Sequence, residues 1–227
     1  MKTRGEIQYI KMPFFAAKQY DNLTSVRGVN KGFEDIASFL VDNIKQGRIL
    51  DIGTGPGRLL YEINKKNSLI DLYGLDISSA MIELAKQHLK GILNVDLRVG
   101  NIVHTGYDAE YFDCIVSTGS FYNWDKPVEG LNEVFRILKK GSKAYIFESY
   151  KDHNKNELSN RLKENLQGYN PIRKRVTKYF LARQLKMTYS FSEFHNIVNQ
   201  TDFKGNYRIE KVEIGNLPIY VRIELMK

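Results

Sequence analysis

The chain has 227 residues, of which 42% are hydrophobic and 26% are charged, with a single cysteine and a formal net charge of +8 at pH 7. This composition is typical of a globular protein and excludes collagen-like and disordered chains, while the lone Cys114 excludes an intrachain disulfide or a cysteine-based zinc cluster. Its apolar runs are too short for a transmembrane helix or a signal peptide, so we expect one cytoplasmic domain, residues 1–227, without membrane insertion.

The first regular pattern along the chain is helical. Apolar residues recur at helical spacing from Phe33 to Ile44, and Gly47 ends this helix. A short buried strand is predicted at 48–52, and the loop Gly53-Thr54-Gly55-Pro56-Gly57 separates it from a helix that starts near Pro56. A glycine loop between a strand and a helix is where open α/β sheets bind ligands.

Strands and helices then alternate. The pattern predicts strands at 70–75, 95–99, 112–117 and 143–147, a helix capped by Ser78 or Ser79, and a helix over 131–138 that is closed by Lys139-Lys140-Gly141. Such alternation predicts right-handed crossovers and a parallel sheet that is covered by helices on both faces.

The last third of the chain departs from this alternation. Residues 151–187 predict one or two helices with a break at 168–171, and Ser190-Phe191-Ser192-Glu193 is a capping box that opens another helix. Two strands at 207–214 and 218–225 are joined by three residues, which predicts an antiparallel hairpin. The predicted fold is therefore α/β, doubly wound, with a mostly parallel seven-stranded sheet and an antiparallel C-terminal hairpin.

The spacing of the glycines restricts the ligand of the loop. A dinucleotide fingerprint requires a third glycine at position 58, which is Arg58, and a phosphate loop requires Gly-Lys-Ser/Thr, which does not occur. Three glycines at alternate positions also fit a ligand-free turn poorly. The loop therefore disfavours nucleotide phosphates but still predicts a ligand.

The pattern Asp51-x-Gly53-x-Gly55-x-Gly57, with Asp76 25 residues after Asp51, resembles that of the class I S-adenosylmethionine-dependent methyltransferases. Gly100-Asn101-Ile102 and Glu133–Gly141 resemble further motifs of that family, although Asn101 replaces a common aspartate and Lys140-Gly141 replaces Pro-Gly. The resemblance covers about residues 45–150 and the terminal hairpin. It implies a Rossmann-like fold, S-adenosylmethionine as cofactor and S-adenosylhomocysteine as product.

The resemblance also implies the cofactor-binding residues. It assigns Asp76 to the ribose hydroxyls and Asn101 to the adenine, and it makes the N-terminal segment, residues 1–31, a lid in which Tyr20 would approach the sulfonium. The full predicted set comprises Tyr20, Asp51, Gly53, Thr54, Gly55, Gly57, Asp76, Ile77, Asn101, Ile102 and Thr118.

The methyl acceptor is less well defined. The exit of the fourth strand lacks the Asn/Asp-Pro-Pro-Tyr/Phe signature of many nucleic-acid amine methylases. Tyr122 and Trp124 are candidates for an apolar acceptor wall or for plain packing, and His153 is a candidate base or a surface residue. No spacing of histidines and carboxylates indicates a metal.

The basic charge is concentrated in a helical insertion at 151–190, which has ten Lys/Arg and three Asp/Glu. Such a segment suits a solvated lid over a small-molecule site or, as an alternative, a polyanion-binding surface. The favoured function is methyl transfer to a small-molecule N, O, S or C nucleophile. The alternatives are an RNA or protein methyltransferase, in which nucleic acid is a possible but disfavoured partner, and a non-catalytic S-adenosylmethionine-binding regulator. The sequence does not indicate the oligomeric state.

Overall fold

Helices and strands alternate through most of residues 13–227, which are the residues described by the computed structural model. The helices in this range are α1 (Phe14–Thr24), α2 (Arg27–Asn43), α3 (Arg58–Lys66), α4 (Ser79–His88), α5 (Pro127–Ile137), α6 (Lys155–Asn165), α7 (Pro171–Met187) and α8 (Phe191–Val198). The strands are β1 (Gly47–Ile52), β2 (Ile70–Asp76), β3 (Val95–Val99), β4 (Phe112–Thr118), β5 (Leu138–Ser149), β6 (Tyr207–Ile214) and β7 (Leu217–Met226), and a 3₁₀ turn (Phe121–Asn123) follows β4.

The strands form one sheet in the order β3-β2-β1-β4-β5-β7-β6. The first five strands in this order are parallel, whereas β7 is antiparallel to both β5 and β6. Within the described residues, the prediction of a doubly wound, mostly parallel seven-stranded sheet is confirmed. The strand order reverses between β1 and β4, so a crevice is expected outside the carboxyl ends of these two strands.

Alternate residues of β1 pack into two separate cores. Ile49 points toward α2, α3 and α4, where it joins the cluster that contains Leu40 and Leu60. Leu50 and Ile52 point to the other face, where α5 and α8 supply the cluster. Because both faces of the central strands are covered by helices, their sequences read as continuous apolar runs.

Local signals placed several boundaries correctly. The Ser78 hydroxyl accepts a hydrogen bond from the Met81 N–H, and the predicted capping box of Ser190 and Glu193 is present at the start of α8. The break between α6 and α7 is made by Gly168 and by the N-cap Asn170, whose side chain accepts from the Arg173 N–H at 2.9 Å. Gly215 and Asn216 both have positive φ, as a tight hairpin between β6 and β7 requires.

Three predicted boundaries were wrong. The helix before β5 ends at Ile137, and Lys139–Gly141 belong to β5, because the Gly141 N–H donates to the Lys227 carbonyl and Leu138 pairs with Phe112. Helix α2 begins at Arg27, before the apolar periodicity becomes visible. Helix α3 begins at Arg58 rather than near Pro56, because Gly57 adopts a left-handed conformation.

Two late helices and the N-terminal helix meet beside the sheet. The Tyr20 ring of α1 contacts the Phe180 ring of α7 edge to face, at 5.0 Å between centroids. Leu158 of α6 packs with Leu217 and Ile219 of β7.

The predicted N-terminal lid comprises residues 1–31. The structure describes it from residue 13 onward, and its first twelve residues lie outside the described range. Among residues 13–227, no helix has both the length and the apolar character needed to span a bilayer.

Candidate active site

A cavity of about 360 Å³ lies at the carboxyl ends of β1, β2 and β4, under α1 and α7. Its walls include residues from both predicted lids and from the glycine loop. Ten of the eleven predicted cofactor residues line this cavity: Tyr20, Asp51, Gly53, Thr54, Gly55, Asp76, Ile77, Asn101, Ile102 and Thr118. Residues that are up to about 100 positions apart in the sequence therefore share one compartment.

Several buried polar atoms of this cavity have no hydrogen-bond partner among the described residues. They are Asp51 Oδ1, Thr54 Oγ1, Thr118 Oγ1 and Thr177 Oγ1. Burial raises the pKa of Asp51 to about 7, the nearby Thr54 opposes this rise, and the charge of Asp76 adds to it. Buried polar groups in proteins are nearly always paired, so unpaired atoms around a cavity indicate that a polar ligand completes the site.

The glycine loop is shaped by close approaches of the chain. Gly53 has a φ of +72°, and a Cβ atom at this position would lie 2.4 Å from the Ser120 side chain. Ser120 in turn donates to the Ile52 carbonyl at 3.0 Å, which ties the exit of β4 to the end of β1. By contrast, a Cβ at Gly55 would have no atom within 4 Å. The space beside Gly55 is therefore free for a ligand.

The Asp76 carboxylate closes the other side of the loop. Its two oxygens accept hydrogen bonds from the backbone N–H groups of Gly55 and Ser78, each at 2.8 Å. Burial raises the pKa of Asp76, and the same two hydrogen bonds oppose the rise. A carboxylate at the end of β2 has further acceptor capacity, so it can also receive ribose hydroxyls.

Two predicted residues do not line the cavity, and a third already uses part of its hydrogen-bonding capacity. Gly57 does not line the cavity, since it faces Ala85 and Leu89 at the end of α4, where a Cβ would lie 2.9 Å from Leu89. His153 does not line it either, because its Nδ1 lies 2.8 Å from the Tyr150 carbonyl beyond the end of β5. Asn101 lines the cavity, but its Oδ1 accepts from the Val103 N–H.

Tyr122 and Trp124 line the cavity and are also part of the core. They are 9% and 6% exposed. The Trp124 ring contacts Phe121 at 4.9 Å between centroids, and it packs so closely on α5 that a Cβ at Gly130 would lie 2.8 Å from it. Both side chains are therefore packed in the core, and their role as an acceptor wall stays a prediction.

An ion pair attaches the N-terminal helix α1, which covers the cavity, to the start of α3. Asp21 of α1 is buried and forms an ion pair with Arg58 at the start of α3, and His88 Nε2 lies 3.5 Å from the same carboxylate. Both Asp21 and Arg58 line the cavity. Residues 13–227 contain no group of three or more His, Cys, Asp or Glu side chains arranged to hold a metal ion.

Comparison with known proteins decides the family. A family model described as a methyltransferase domain matches residues 44–218. The chain belongs to this methyltransferase domain family. Its sheet order and glycine loop are those of the class I, S-adenosylmethionine-dependent methyltransferases, as the sequence resemblance implied.

Two curated relatives illustrate the similarity. The uncharacterized methyltransferase YdaC of Bacillus subtilis is 33% identical over 98 residues, which are 43% of this chain and 54% of YdaC. The ubiquinone/menaquinone biosynthesis C-methyltransferase UbiE of Geotalea daltonii is 29% identical over 138 residues, 58% of this chain and 59% of UbiE. The chain thus spans about half the length of the curated relatives it matches.

A solved structure extends the similarity of fold to nearly the whole chain. The plantazolicin methyltransferase BpumL, in complex with a triazolic desmethylPZN analog and SAH, is 22% identical, with a TM-score of 0.67 over 93% of this chain and 89% of that chain.

Sequence reasoning missed several residues of this methyltransferase cavity. Gln184 and Thr177 reach it from α7, and Tyr220 reaches it from β7. Glu148 lies directly behind Gln184, at 3.2 Å from its Nε2 atom. One signal was available: Glu148 is a charged residue within the otherwise buried end of β5.

Proposed function

We propose that this chain binds S-adenosylmethionine in the cavity and transfers its methyl group to a small-molecule nucleophile by in-line displacement, releasing S-adenosylhomocysteine. The observation that supports this most directly is the set of unpaired buried atoms, Asp51 Oδ1, Thr54 Oγ1 and Thr118 Oγ1, around an open glycine loop in a methyltransferase-domain fold. The complex of BpumL with SAH supports the choice of cofactor.

Five of the predicted cofactor residues then have a proposed role. Asp76 would receive the ribose hydroxyls, the space beside Gly55 would hold the methionine portion, and Asn101 and Ile102 would contact the adenine. Tyr20 lines the cavity from α1. An aromatic ring close to the sulfonium contributes about 0.5–2 kcal/mol of cation–π attraction.

The reaction needs little acid–base chemistry from the protein. When bound, S-adenosylmethionine would supply the methyl group: the sulfur–methyl bond would break as the bond from the acceptor forms, the sulfonium would leave as a neutral thioether, and the acceptor's proton would pass to solvent. Alignment of the two reactants and exclusion of water supply most of the acceleration. We therefore assign no step to His153, which lies outside the cavity wall.

The enclosed site favours a small acceptor. A cavity of about 360 Å³ is near the lower end of the range for small-molecule sites, about 300–1,000 Å³. Arg173 of the basic segment faces inward and bonds the Asn22 and Ser25 carbonyls, so this part of the segment acts as a cover. Arg175 and Lys178 of α7 are exposed to solvent, and these two cations are the basis of the RNA-binding alternative.

Calorimetry with SAH and NAD tests the cofactor. We expect SAH to bind, NAD not to bind, and Asp51→Asn to lose about 1.5 kcal/mol, or tenfold, of SAH affinity. Asp113→Asn, at the amino end of β4 and outside the cavity, is the matched control and should bind normally. Tighter binding of NAD than of SAH would overturn the assignment.

Transfer of a labelled methyl group then tests the acceptor. Small phenols, amines and thiols are compared with bulk RNA and with protein, at physiological salt. Labelled small products support the proposal, whereas labelled RNA that is lost on reversing the charges of Lys174 and Arg175 supports the RNA alternative. SAH binding without transfer to any acceptor would indicate a non-catalytic regulator.

A further inference from the structure

Glu148 is a fully buried carboxylate at the carboxyl end of β5, with 0% exposure. It accepts hydrogen bonds from the Tyr122 N–H at 3.2 Å, the Ser149 N–H at 2.9 Å and the Gln184 amide at 3.2 Å. Within residues 13–227 no lysine, arginine or histidine forms an ion pair with it. One carboxylate therefore joins β5, the 3₁₀ turn after β4 and the lid helix α7.

A buried carboxylate without an ionic partner lowers the stability of the fold. Burial raises the pKa of Glu148 to about 7, and the hydrogen bonds from Ser149, Gln184 and Tyr122 oppose the rise. The nearby titratable group is Tyr220 of β7, whose pKa burial raises to about 12, so that it stays neutral. A buried charge without an ionic partner destabilises a protein, whereas an apolar residue would fill the same space at no such cost.

The two elements held by Glu148 are both walls of the cavity. Tyr122 lines it from the exit of β4, and Gln184 lines it from α7. A carboxylate can only accept hydrogen bonds, so the Gln184 amide must turn its Nε2 atom toward Glu148. The carbonyl oxygen Oε1 of Gln184 thereby faces away from Glu148, where it can accept a hydrogen bond from another group.

We propose that Glu148 is the positioning residue of the acceptor subsite, where it fixes the Tyr122 turn and orients Gln184 so that Gln184 Oε1 accepts a hydrogen bond from an N–H or O–H group of the methyl acceptor. The proposal rests on the proposed function, since the acceptor subsite is the part of the cavity beyond the cofactor residues. Trp124, Phe180 and Leu181 also line the cavity and give it an apolar surface. The acceptor class is therefore a small molecule with an apolar body and one hydrogen-bond donor.

Trp124 provides a direct readout, because it is the chain's one tryptophan and lies next to the turn that Glu148 holds. Its emission is measured in the SAH complex from pH 5.5 to 8.5. We expect a transition near pH 7 in the wild type and in Glu133→Gln, a structural carboxylate that bonds Thr105 away from the cavity. The transition should disappear in Glu148→Gln and return in Glu148→Asp with a different midpoint.

Gln184→Leu is a second variant at a half-buried position, so it tests the proposal even where Glu148→Gln does not fold. Loss of the Gln184 donor removes a hydrogen bond that favours the charged carboxylate, so the midpoint should move to higher pH. An unchanged transition in Glu148→Gln, or an unmoved midpoint in Gln184→Leu, would overturn the positioning role.

Phenol and fluorobenzene test the acceptor chemistry as a matched pair with and without a donor. Quenching of Trp124 in the SAH complex should show at least tenfold tighter binding of phenol, and Gln184→Leu should remove this preference. Equal binding of the two probes, or binding of neither, would overturn the inferred acceptor class. Wild-type protein that binds no SAH by calorimetry would instead contradict the proposed function itself.

Discussion

The Asp76 carboxylate accepts a hydrogen bond from the backbone N–H of Gly55 at 2.8 Å, so the end of β2 is bonded directly to the glycine loop after β1. The sequence predicted both residues as parts of one site but did not predict a contact between them. Because Asp76 holds the loop and also faces the cavity, its removal should affect the shape of the site as well as one ligand contact.

Asp76→Ala should therefore weaken SAH binding by about 1.5–3 kcal/mol, which is roughly 10- to 150-fold, because a charged hydrogen-bond acceptor is lost. Isothermal calorimetry measures the change. Asp96→Ala, on the neighbouring strand β3 and paired with the exposed Arg98, is the control and should bind SAH as the wild type does. An unchanged affinity in a folded Asp76→Ala protein would contradict the ribose role.

Gly55→Val should abolish measurable SAH binding. A Cβ at Gly55 meets no protein atom within 4 Å, so the valine side chain would extend into the space assigned to the methionine portion. Its φ of +53° also strains a β-branched residue. Gly106→Val separates the two effects, because Gly106 has a φ of +74° and equally free surroundings but does not line the cavity. SAH binding by both variants would show that the loop does not hold the cofactor.

The parts of the fold that sequence could predict are those that depend on neighbouring residues. The Ser190 capping box and the glycine loop each depend on a short stretch of sequence, and the structure contains both. The end of α5 was misplaced because the Lys227 carbonyl, 86 residues later, binds the Gly141 N–H and draws that segment into β5. Local pattern cannot reveal a pairing between such distant residues.

The same reasoning explains the uneven prediction of the site. Parallel strands bring their carboxyl ends to one edge of the sheet, so residues at these ends can be predicted to share a site. Most predicted cofactor residues do line the cavity. Glu148 and Gln184 are 36 positions apart and meet only because α7 folds back over β5. His153 was placed by its closeness to β5 in sequence, but it lies beyond the strand's end and contacts the Tyr150 carbonyl.

Arg173→Ala should release SAH faster, by about tenfold. The Arg173 guanidinium donates to the Asn22 and Ser25 carbonyls at 2.7 and 2.5 Å, which joins α7 to the end of α1, and a hydrogen bond from a charged donor is worth roughly 1.5 kcal/mol or more. Stopped-flow displacement of SAH, followed by Trp124 emission, measures the rate. Arg175→Ala removes an exposed cation from the same turn of α7 and should leave the rate unchanged. Equal rates for the two variants would mean that the two covers do not open together.

The pH dependence of stability offers a test that needs no ligand. In the folded protein burial raises the pKa of Glu148 from 4.5 to about 7, so between these values the unfolded chain loses a proton that the folded chain keeps. The unfolding free energy of the wild type should therefore fall as pH rises from 4.5 to 7, by about 3 kcal/mol from this residue at about 1.4 kcal/mol per pH unit. Asp51, also raised to about 7, acts in the same direction.

Glu148→Gln removes this titration, so its unfolding free energy relative to the wild type should increase across that window by about 3 kcal/mol. Urea denaturation of the ligand-free proteins at pH 4.5, 6 and 7.5 measures the difference. Glu133→Gln is the control of opposite sign: hydrogen bonds from Arg136 and Thr105 outweigh burial and lower the pKa of Glu133 to about 2, so at pH 6 and above this residue is charged in both the folded and the unfolded chain. Its curve should run parallel to the wild type between pH 6 and 7.5. A parallel curve for Glu148→Gln as well would contradict the raised pKa of the buried carboxylate.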